Sequence, residues 1–541
     1  MYLASVDIHG FRGIKQLTLR LNRDSNVLIG ENRWGRSSLI SALMLLSLDN
    51  LFYQFVESDF FYDEKYQADL ASISFRFTES FIDELKVEQY QPLTKVVYQD
   101  STLMKSVLCY QIKADKRQNK IVTHHFFTDM HGNKITLENE SAMIELLITL
   151  NPAMRLKKTI NEDTLPITNQ PLSTYYLTQL SAQLAEHSTQ FSPHDLERGV
   201  VAAKALLEYY LVDKKRRYHY KYIAKNPSPS MDEWNSLDKI NDLLDDLDSD
   251  YIRIMLMGVF GAILTAKGNN QLQPNAMPIL ILEEPESQLH RILLSVGFRL
   301  LKNFPTQKFI TTNSSDLVSL FSLEHIYHLM RKPSGIVAMS TGENGLTLTD
   351  KRKIMFHILY RRASAIFSRC WLLVEGETEV WLLRELAEQC GFHLNSEGIE
   401  LIEFAQCGLK PLIKYANKMG IHWHVLTDGD IAGKKYADTV RSLCPTHHEV
   451  NNYLTVLPAR DIENFLFKNG FSHVYKMMGY GTIEHIDLPV HKIIQKAIHK
   501  SSKPDLAIAI CDDVKERGVD VIPTLLKYMF NRVVKLAKES Y

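Results

Sequence analysis

The chain has 541 residues, 45% hydrophobic and 23% charged, which excludes a disordered or fibrous protein and suggests two or three domains. Its 62 lysines and arginines against 63 acids leave a formal charge of -1, so any binding to nucleic acid or an anionic membrane must come from local patches. Six cysteines without C-x-x-C spacing exclude a zinc ribbon and a disulfide framework and fit a reducing cytoplasm.

Taken in chain order, residues 3–8 and 17–21 alternate like half-buried strands around Gly10 and Gly13. The opening residues lack the basic-then-apolar pattern of a secretory signal. A short apolar strand at 26–29 runs into a glycine-bounded loop, and 39–48 reads as a helix. Alternating segments such as 71–77 and 106–112 continue a sheet, and from about 140 to 266 the pattern turns mostly helical. The apolar run at 254–266 falls short of the roughly 20 residues of a spanning helix, so no membrane contact is expected.

Within that helical stretch, 214–225 interleaves basic residues with tyrosines, ahead of an acidic run at 242–250. A solvated hairpin with complementary charges explains the pair; nucleic-acid contact or a dimer surface is the alternative. Apolar strands are expected at 278–282 and 308–312. Residues 351–369 then hold six basic side chains and no acid. A domain boundary is expected there, dividing 1–355, a basic linker at 356–369, and 370–541. The last part alternates strand and helix before closing in helices, as an α/β domain with a largely parallel sheet does.

Three stretches carry chemistry. Gly30-Glu-Asn-Arg-Trp-Gly35-Arg36-Ser37-Ser38 sits between a strand and a helix in the G-x-x-x-x-G-K-[ST] frame, where loop N–H groups and the helix N-terminus can wrap phosphates. Ser37 occupies the place of a Mg²⁺-ligating hydroxyl, and Arg36 replaces the lysine, keeping the charge but changing its geometry. The second stretch is the strand ending Glu283-Glu284-Pro285-Glu286, whose paired carboxylates suit a water-bridged Mg²⁺ and the orientation of an attacking water. Third, Val374-Glu375-Gly376 and, fifty residues on, Thr427-Asp428-Gly429-Asp430 each close an apolar strand with acids. Glu375, Asp428 and Asp430 are expected to converge in the crevice at the strand ends and, being all-oxygen donors, to select Mg²⁺ or Mn²⁺. Glu379, one turn beyond Glu375, either joins them or is an exposed helix acid.

The glycine loop followed by Glu283-Glu284-Pro285-Glu286 and Gln288-Leu289-His290 resembles the ATPase heads of the ABC superfamily, in its chromosome-maintenance and DNA-repair branch. The Glu-Gly and Asp-x-Asp-x-x-Gly strand ends resemble the Toprim domain of topoisomerases, primases and certain nucleases. Head and Toprim in this order resemble the overcoming-lysogenisation-defect (OLD) family of ATP-dependent nucleases over nearly the whole chain.

That resemblance implies an α/β chain: an ABC-type head with a helical dimerisation insertion at about 140–250, then a Toprim, Rossmann-like domain with a helical C-terminal part. It implies ATP held by Gly30, Asn32, Gly35, Arg36, Ser37 and Ser38, metal support from Glu283 and Glu284 as base. Asp461-Ile462-Glu463 resembles the family's later acidic motif, which implies a second metal on Glu463, and Lys503 falls where a basic residue stabilises the transition state. The implied protein is a two-metal DNA endonuclease, a cytoplasmic homodimer or larger homo-oligomer acting in phage defence or DNA repair. Arg36, Asn313 in place of the family's histidine, and the weak Met257-Gly258 substitute for its signature motif depart from the pattern. They bear on turnover more than on binding, and leave a nucleotide-gated DNA clamp as the alternative function.

Overall fold

The computed structural model describes residues 1–156, 276–287, 298 and 306–539, apart from 32–33, 64–65, 82–83, 101–104, 118–119, 333–334, 343–344, 445–449 and 485. Asn32, the basic run 214–225, the acidic run 242–250, the apolar run 254–266, Met257 to Gly261, Gln288-Leu289-His290 and all but the start of the expected insertion lie outside the described residues. Two units emerge. One holds Met1–Phe321, His325–Leu329 and Pro333–Ala338; the other holds Ser322–Glu324, Met330–Lys332 and Met339–Tyr541.

In the first unit, β1 (Tyr2–Phe11) pairs antiparallel with β2 (Ile14–Arg20) and with β4 (Leu70–Thr78). β4 pairs with β6 (Lys105–Arg117), which also takes β5 (Val97–Asp100) and β7 (Lys120–Thr128). Alternation along these strands puts Val6, Ile8, Phe75, Phe77 and Tyr110 into the core and leaves the intervening residues nearer solvent. The helix α1 (Arg36–Leu43) contributes Leu39 and Leu43 to the same core.

A second sheet runs in the order β12 (Gly335–Met339), β11 (Ile326–Lys332), β3 (Ser25–Ile29), β10 (Gln307–Thr311), β9 (Ile279–Glu283) and β8 (Ala153–Leu156). β11, β3, β10, β9 and β8 pair parallel in turn. β3 and β10 are buried along their whole length, which is why they read as continuous apolar runs rather than alternating ones. β8 departs from the helical expectation. The helix α2 (Glu140–Leu150) forms, but Ala-Met-Arg-Leu after it takes a strand conformation by pairing with β9. Four residues carry too little local pattern to announce that.

The second unit centres on a parallel sheet ordered β14 (Ile399–Glu403), β13 (Cys370–Val374), β15 (His422–Thr427) and β16 (Leu454–Val456). The helix α3 (Leu348–Ile354) precedes it, and α4 (Glu377–Gln389), α5 (Leu409–Met419) and α6 (Ile431–Leu443) follow successive strands. The chain then closes in α7 (Ile462–Leu466), α8 (Ser472–Tyr480), α9 (Val490–Ser501), α10 (Lys503–Arg517) and α11 (Thr524–Lys538). α8 packs on α9 and α4 on α10, burying Leu383, Leu386, Tyr475, Ile494 and Ile510 in one core with Leu372 and Val374. Each buried leucine contributes roughly 1.5–3 kcal/mol.

Candidate functional site

The carboxyl edge of the second unit's sheet gathers its acids by register. Leu373 of β13 lies opposite Val425 of β15, so Glu375 and Asp428, each just beyond its strand, emerge side by side. Thr427 lies opposite Val456, and Leu457 N donates to Thr427 O at 2.9 Å. The next residues cross onto the acidic turn, where Gly429 N donates to Ala459 O at 2.9 Å. A Cβ on Gly429 would collide with that same carbonyl, so the turn between the two aspartates requires glycine.

Helix caps set the remaining acids. Asp430 Oδ1 accepts from Gly433 N at 2.7 Å and opens α6; Asp461 Oδ1 accepts from Asn464 N at 2.7 Å and opens α7. The second cap holds Glu463 in the first turn at 7% exposure, where Lys503 Nζ, at the start of α10, reaches Glu463 Oε1 at 2.7 Å. Gly433 is needed because a Cβ there would overlap the Asp428 carbonyl oxygen. Gly433→Ala is therefore expected to lower stability by about 2 kcal/mol. A denaturant titration with an unchanged midpoint would contradict this.

These groups strain against one another. The Asp428 carboxyl is pushed up to about 8, first by burial and then by Glu375, Glu379, Asp461 and Glu463. Burial also raises Glu375, reinforced by Asp430 and Glu379 and opposed by Lys503. Glu379 rises through burial and Glu463. Burial opposes the charge on Lys503, but its bond to Glu463 and the fields of Glu379 and Asp461 outweigh that and raise it. Glu375 Oε2 is buried without a hydrogen-bond partner. Among the described residues no three acidic, histidine or cysteine side chains close into a finished metal cage. The oxygen donors and their mutual repulsion nevertheless fit hard divalent cations, whose binding would relieve the strain.

The glycine loop occupies the carboxyl edge of the first unit's parallel sheet. Gly30, at φ +143°, tolerates no Cβ because Leu329 O would lie 2.7 Å away. Gly35, at φ +83°, caps α1. Trp34, 4% exposed, lies 5.8 Å from the His328 ring. Arg36 is 5% exposed: its Nη1 donates to Thr312 O at 3.3 Å, and Glu284 and Glu286 support its charge against burial. Ser37 is exposed at the start of α1, whereas Ser38 Oγ accepts from Gly13 N at 3.1 Å.

β10 lies between β3 and β9, so Thr312 and Asn313 separate the loop from the carboxylates. Asn313 Nδ2 donates to Glu284 Oε1 at 3.2 Å, and Glu286 Oε1 accepts from Thr312 Oγ1 at 2.8 Å and Asn313 N at 3.0 Å. Glu284 adopts φ +43°, a left-handed conformation uncommon for a side-chain-bearing residue. Glu283 is paired with Arg155 of β8.

The geometry thus brings together Glu375, Glu379, Asp428, Asp430, Glu463 and Lys503, and separately Gly30, Gly35, Arg36, Ser37 and Ser38, with Glu284 acting on Arg36 from beyond β10; Glu283 is turned to Arg155 instead. Sequence reasoning quoted Asp461 and Glu286 within their motifs without giving either a role of its own, and missed Arg155. An Asp-x-x-Asn cap signal marks Asp461 and the final acid of Glu-Glu-Pro-Glu marks Glu286; no motif marks Arg155.

A family model described as "Protein of unknown function (DUF2813)" matches residues 1–365, and one described as "Overcoming lysogenization defect protein-like, TOPRIM domain" matches 366–430. An Escherichia coli (strain K12) relative, described as "Uncharacterized protein YbjD", is 41% identical over 551 residues, covering 99% of either chain. The C-terminal region of the Burkholderia pseudomallei OLD protein is 19% identical, covering 32% of this chain and 99% of that one, with a TM-score of 0.27. An Smc head domain from Pyrococcus furiosus is 11% identical, covering 66% and 99%, with a TM-score of 0.34.

Proposed function

Because the chain belongs to the family described as DUF2813, with an OLD-like Toprim domain behind it, we propose that it is an ATP-binding, metal-dependent DNA endonuclease. The observation that carries this reading is the convergence of Glu375, Asp428, Asp430 and Glu463 at one sheet edge, with the Asp428 carboxyl pushed up to about 8 by burial and then by its acidic neighbours. Glu375, Asp428 and Asp430 would hold one Mg²⁺ or Mn²⁺, and Glu463, with Glu379 beside it, a second. Two such ions, when bound, supply a water acidic enough to attack at neutral pH and neutralise charge developing on the phosphodiester.

The chain's own groups set the stage for that chemistry. The caps at Asp430 and Asp461 orient two acids, and each cap occupies Oδ1 of its aspartate. Lys503, about half exposed, fixes Glu463 and presents its ammonium beside the acids, where it would steady an anionic transition state. Supercoiled plasmid incubated with Mg²⁺ or Mn²⁺ tests the reading: nicking is expected, and its absence with both ions would reject it.

In the first unit we assign ATP to the loop of Gly30, Asn32, Gly35, Arg36, Ser37 and Ser38, with Glu283 supporting Mg²⁺ and Glu284 as base. Binding with little turnover is expected, since Arg155 already neutralises Glu283 and Asn313 engages Glu284. The same pairings favour the second reading, a nucleotide-gated DNA clamp. Arg36→Ala would leave Glu284 and Glu286 without their buried cation. A loss of about 2 kcal/mol in stability and weaker ATP binding by calorimetry are expected; an unchanged ATP affinity would detach Arg36 from the site.

We further propose domains at 1–355 and 370–541, with the basic segment 356–369 between them packed onto the second through Glu403 rather than free, a homodimer or larger homo-oligomer joined through about 140–250, and a cytoplasmic role in phage defence or DNA repair. Among the described residues no helix is long and apolar enough to cross a membrane.

A further inference from the structure

The basic segment 351–369 does more than carry charge. After α3 the backbone widens into a π-helical turn, Met355–Tyr360, which buries His357, Ile358 and Leu359 and turns Phe356 and Tyr360 outward. These two rings are 58% and 62% exposed and stand four residues apart, on the same side of the turn. The Arg361 guanidinium lies 5.5 Å from the Phe356 ring centre. Arg352 and Lys353 are exposed in the turn before.

The turn is anchored to the carboxylate edge. His357 Nε2 donates to Glu403 O at 2.7 Å, and Arg362 pairs with the Glu403 carboxylate and donates to Leu401 O at 3.2 Å. Arg361 Nη1 donates to Gln406 Oε1 at 2.8 Å. The loop they grip leaves β14 next to β13: Phe404 N donates to Val374 O at 2.9 Å and Ala405 N to Glu375 O at 3.2 Å. The exposed rings are therefore tied by rigid backbone to the strand end that carries Glu375.

We propose that Phe356 and Tyr360, with Arg361, form a stacking platform for unpaired bases of single-stranded DNA, whose phosphates are met by Arg352, Lys353 and Arg361. A lone exposed ring needs no explanation, but two exposed rings four residues apart, with a guanidinium over one and no acid in the segment, complement a strand that offers base faces and phosphates together. A duplex hides its base faces in the stack and offers this surface only its phosphates. The proposal names a substrate form for the nuclease reading and rests on it for purpose, but its test does not require cleavage.

Fluorescence anisotropy of the full chain with labelled oligothymidylate or a duplex, in EDTA, provides that test. Phe356→Ala with Tyr360→Ala is expected to weaken oligothymidylate binding about tenfold or more and duplex binding less than about twofold. Trp at both positions is expected to keep single-strand affinity, and Arg361→Ala to reduce the salt slope by about one. Equal losses on both DNAs, no loss on oligothymidylate, or a changed oligomeric state with single-strand binding intact would overturn the platform; the last would make the rings a protein contact. Asp428→Ala separates the two ideas. It should abolish nicking and keep the single-strand preference, whereas a wild type that never nicks defeats the nuclease reading and leaves the platform standing.

Discussion

Asp428→Ala is expected to lower plasmid nicking about a thousandfold, because losing a carboxylate proposed to hold metal would forfeit about 4 kcal/mol of transition-state stabilisation. The fold should survive and become more stable in metal-free buffer. Asp428 is pushed up to about 8 by burial and by Glu375, Glu379, Asp461 and Glu463, so near neutral pH folding must protonate a carboxyl that is ionised in the unfolded chain, at a cost in stability. Removing the carboxyl removes the cost. A variant that melts earlier than wild type in EDTA would mean that Asp428 serves packing. One that nicks at the wild-type rate would mean that the cutting centre is elsewhere.

Divalent-ion affinity at this edge is expected to fall about tenfold for each pH unit below about 8, and so roughly a hundredfold between about pH 8 and about pH 6. The sign follows from the free site. An incoming cation needs the Asp428 carboxylate, which holds its proton up to about 8 before metal arrives. Glu375 and Glu379 are raised in the same sense. For the metal-free protein the linkage runs the other way. The raised Asp428 contributes stability that is fully present below its unfolded value of 3.8 and is lost as pH rises toward about 8. Calorimetric Mn²⁺ titration in buffers of different ionisation enthalpy would count the released protons. Affinity that stays flat across this range would show that the ion avoids Asp428.

Much of the candidate site was legible because its signals are local. The apolar run ending in Val374-Glu375-Gly376 and the Asp428-Gly429-Asp430 turn each follow from one strand meeting one loop, and both glycines, Gly429 and Gly433, prove sterically necessary. Arg155 was invisible for the opposite reason. Its partner Glu283 lies 128 residues away, and the strand that presents it exists only through pairing with β9. Arg36 is an intermediate case. Its position in the loop was plain, but its burial against Thr312 and the acids that follow β9 was not.

By itself, then, the sequence determined the two α/β halves, the glycine loop and the acidic strand ends, since apolar periodicity, caps and turn glycines act over a few neighbouring residues. The tertiary structure alone decided that β13 lies beside β15, that β10 separates the loop from its carboxylates, and that Lys503 meets Glu463 across 40 residues. The near-neutral total charge concealed these groupings for the same reason. Strand order and ion pairing are set by burial and hydrogen-bond satisfaction among segments far apart in the chain, and no local pattern encodes them.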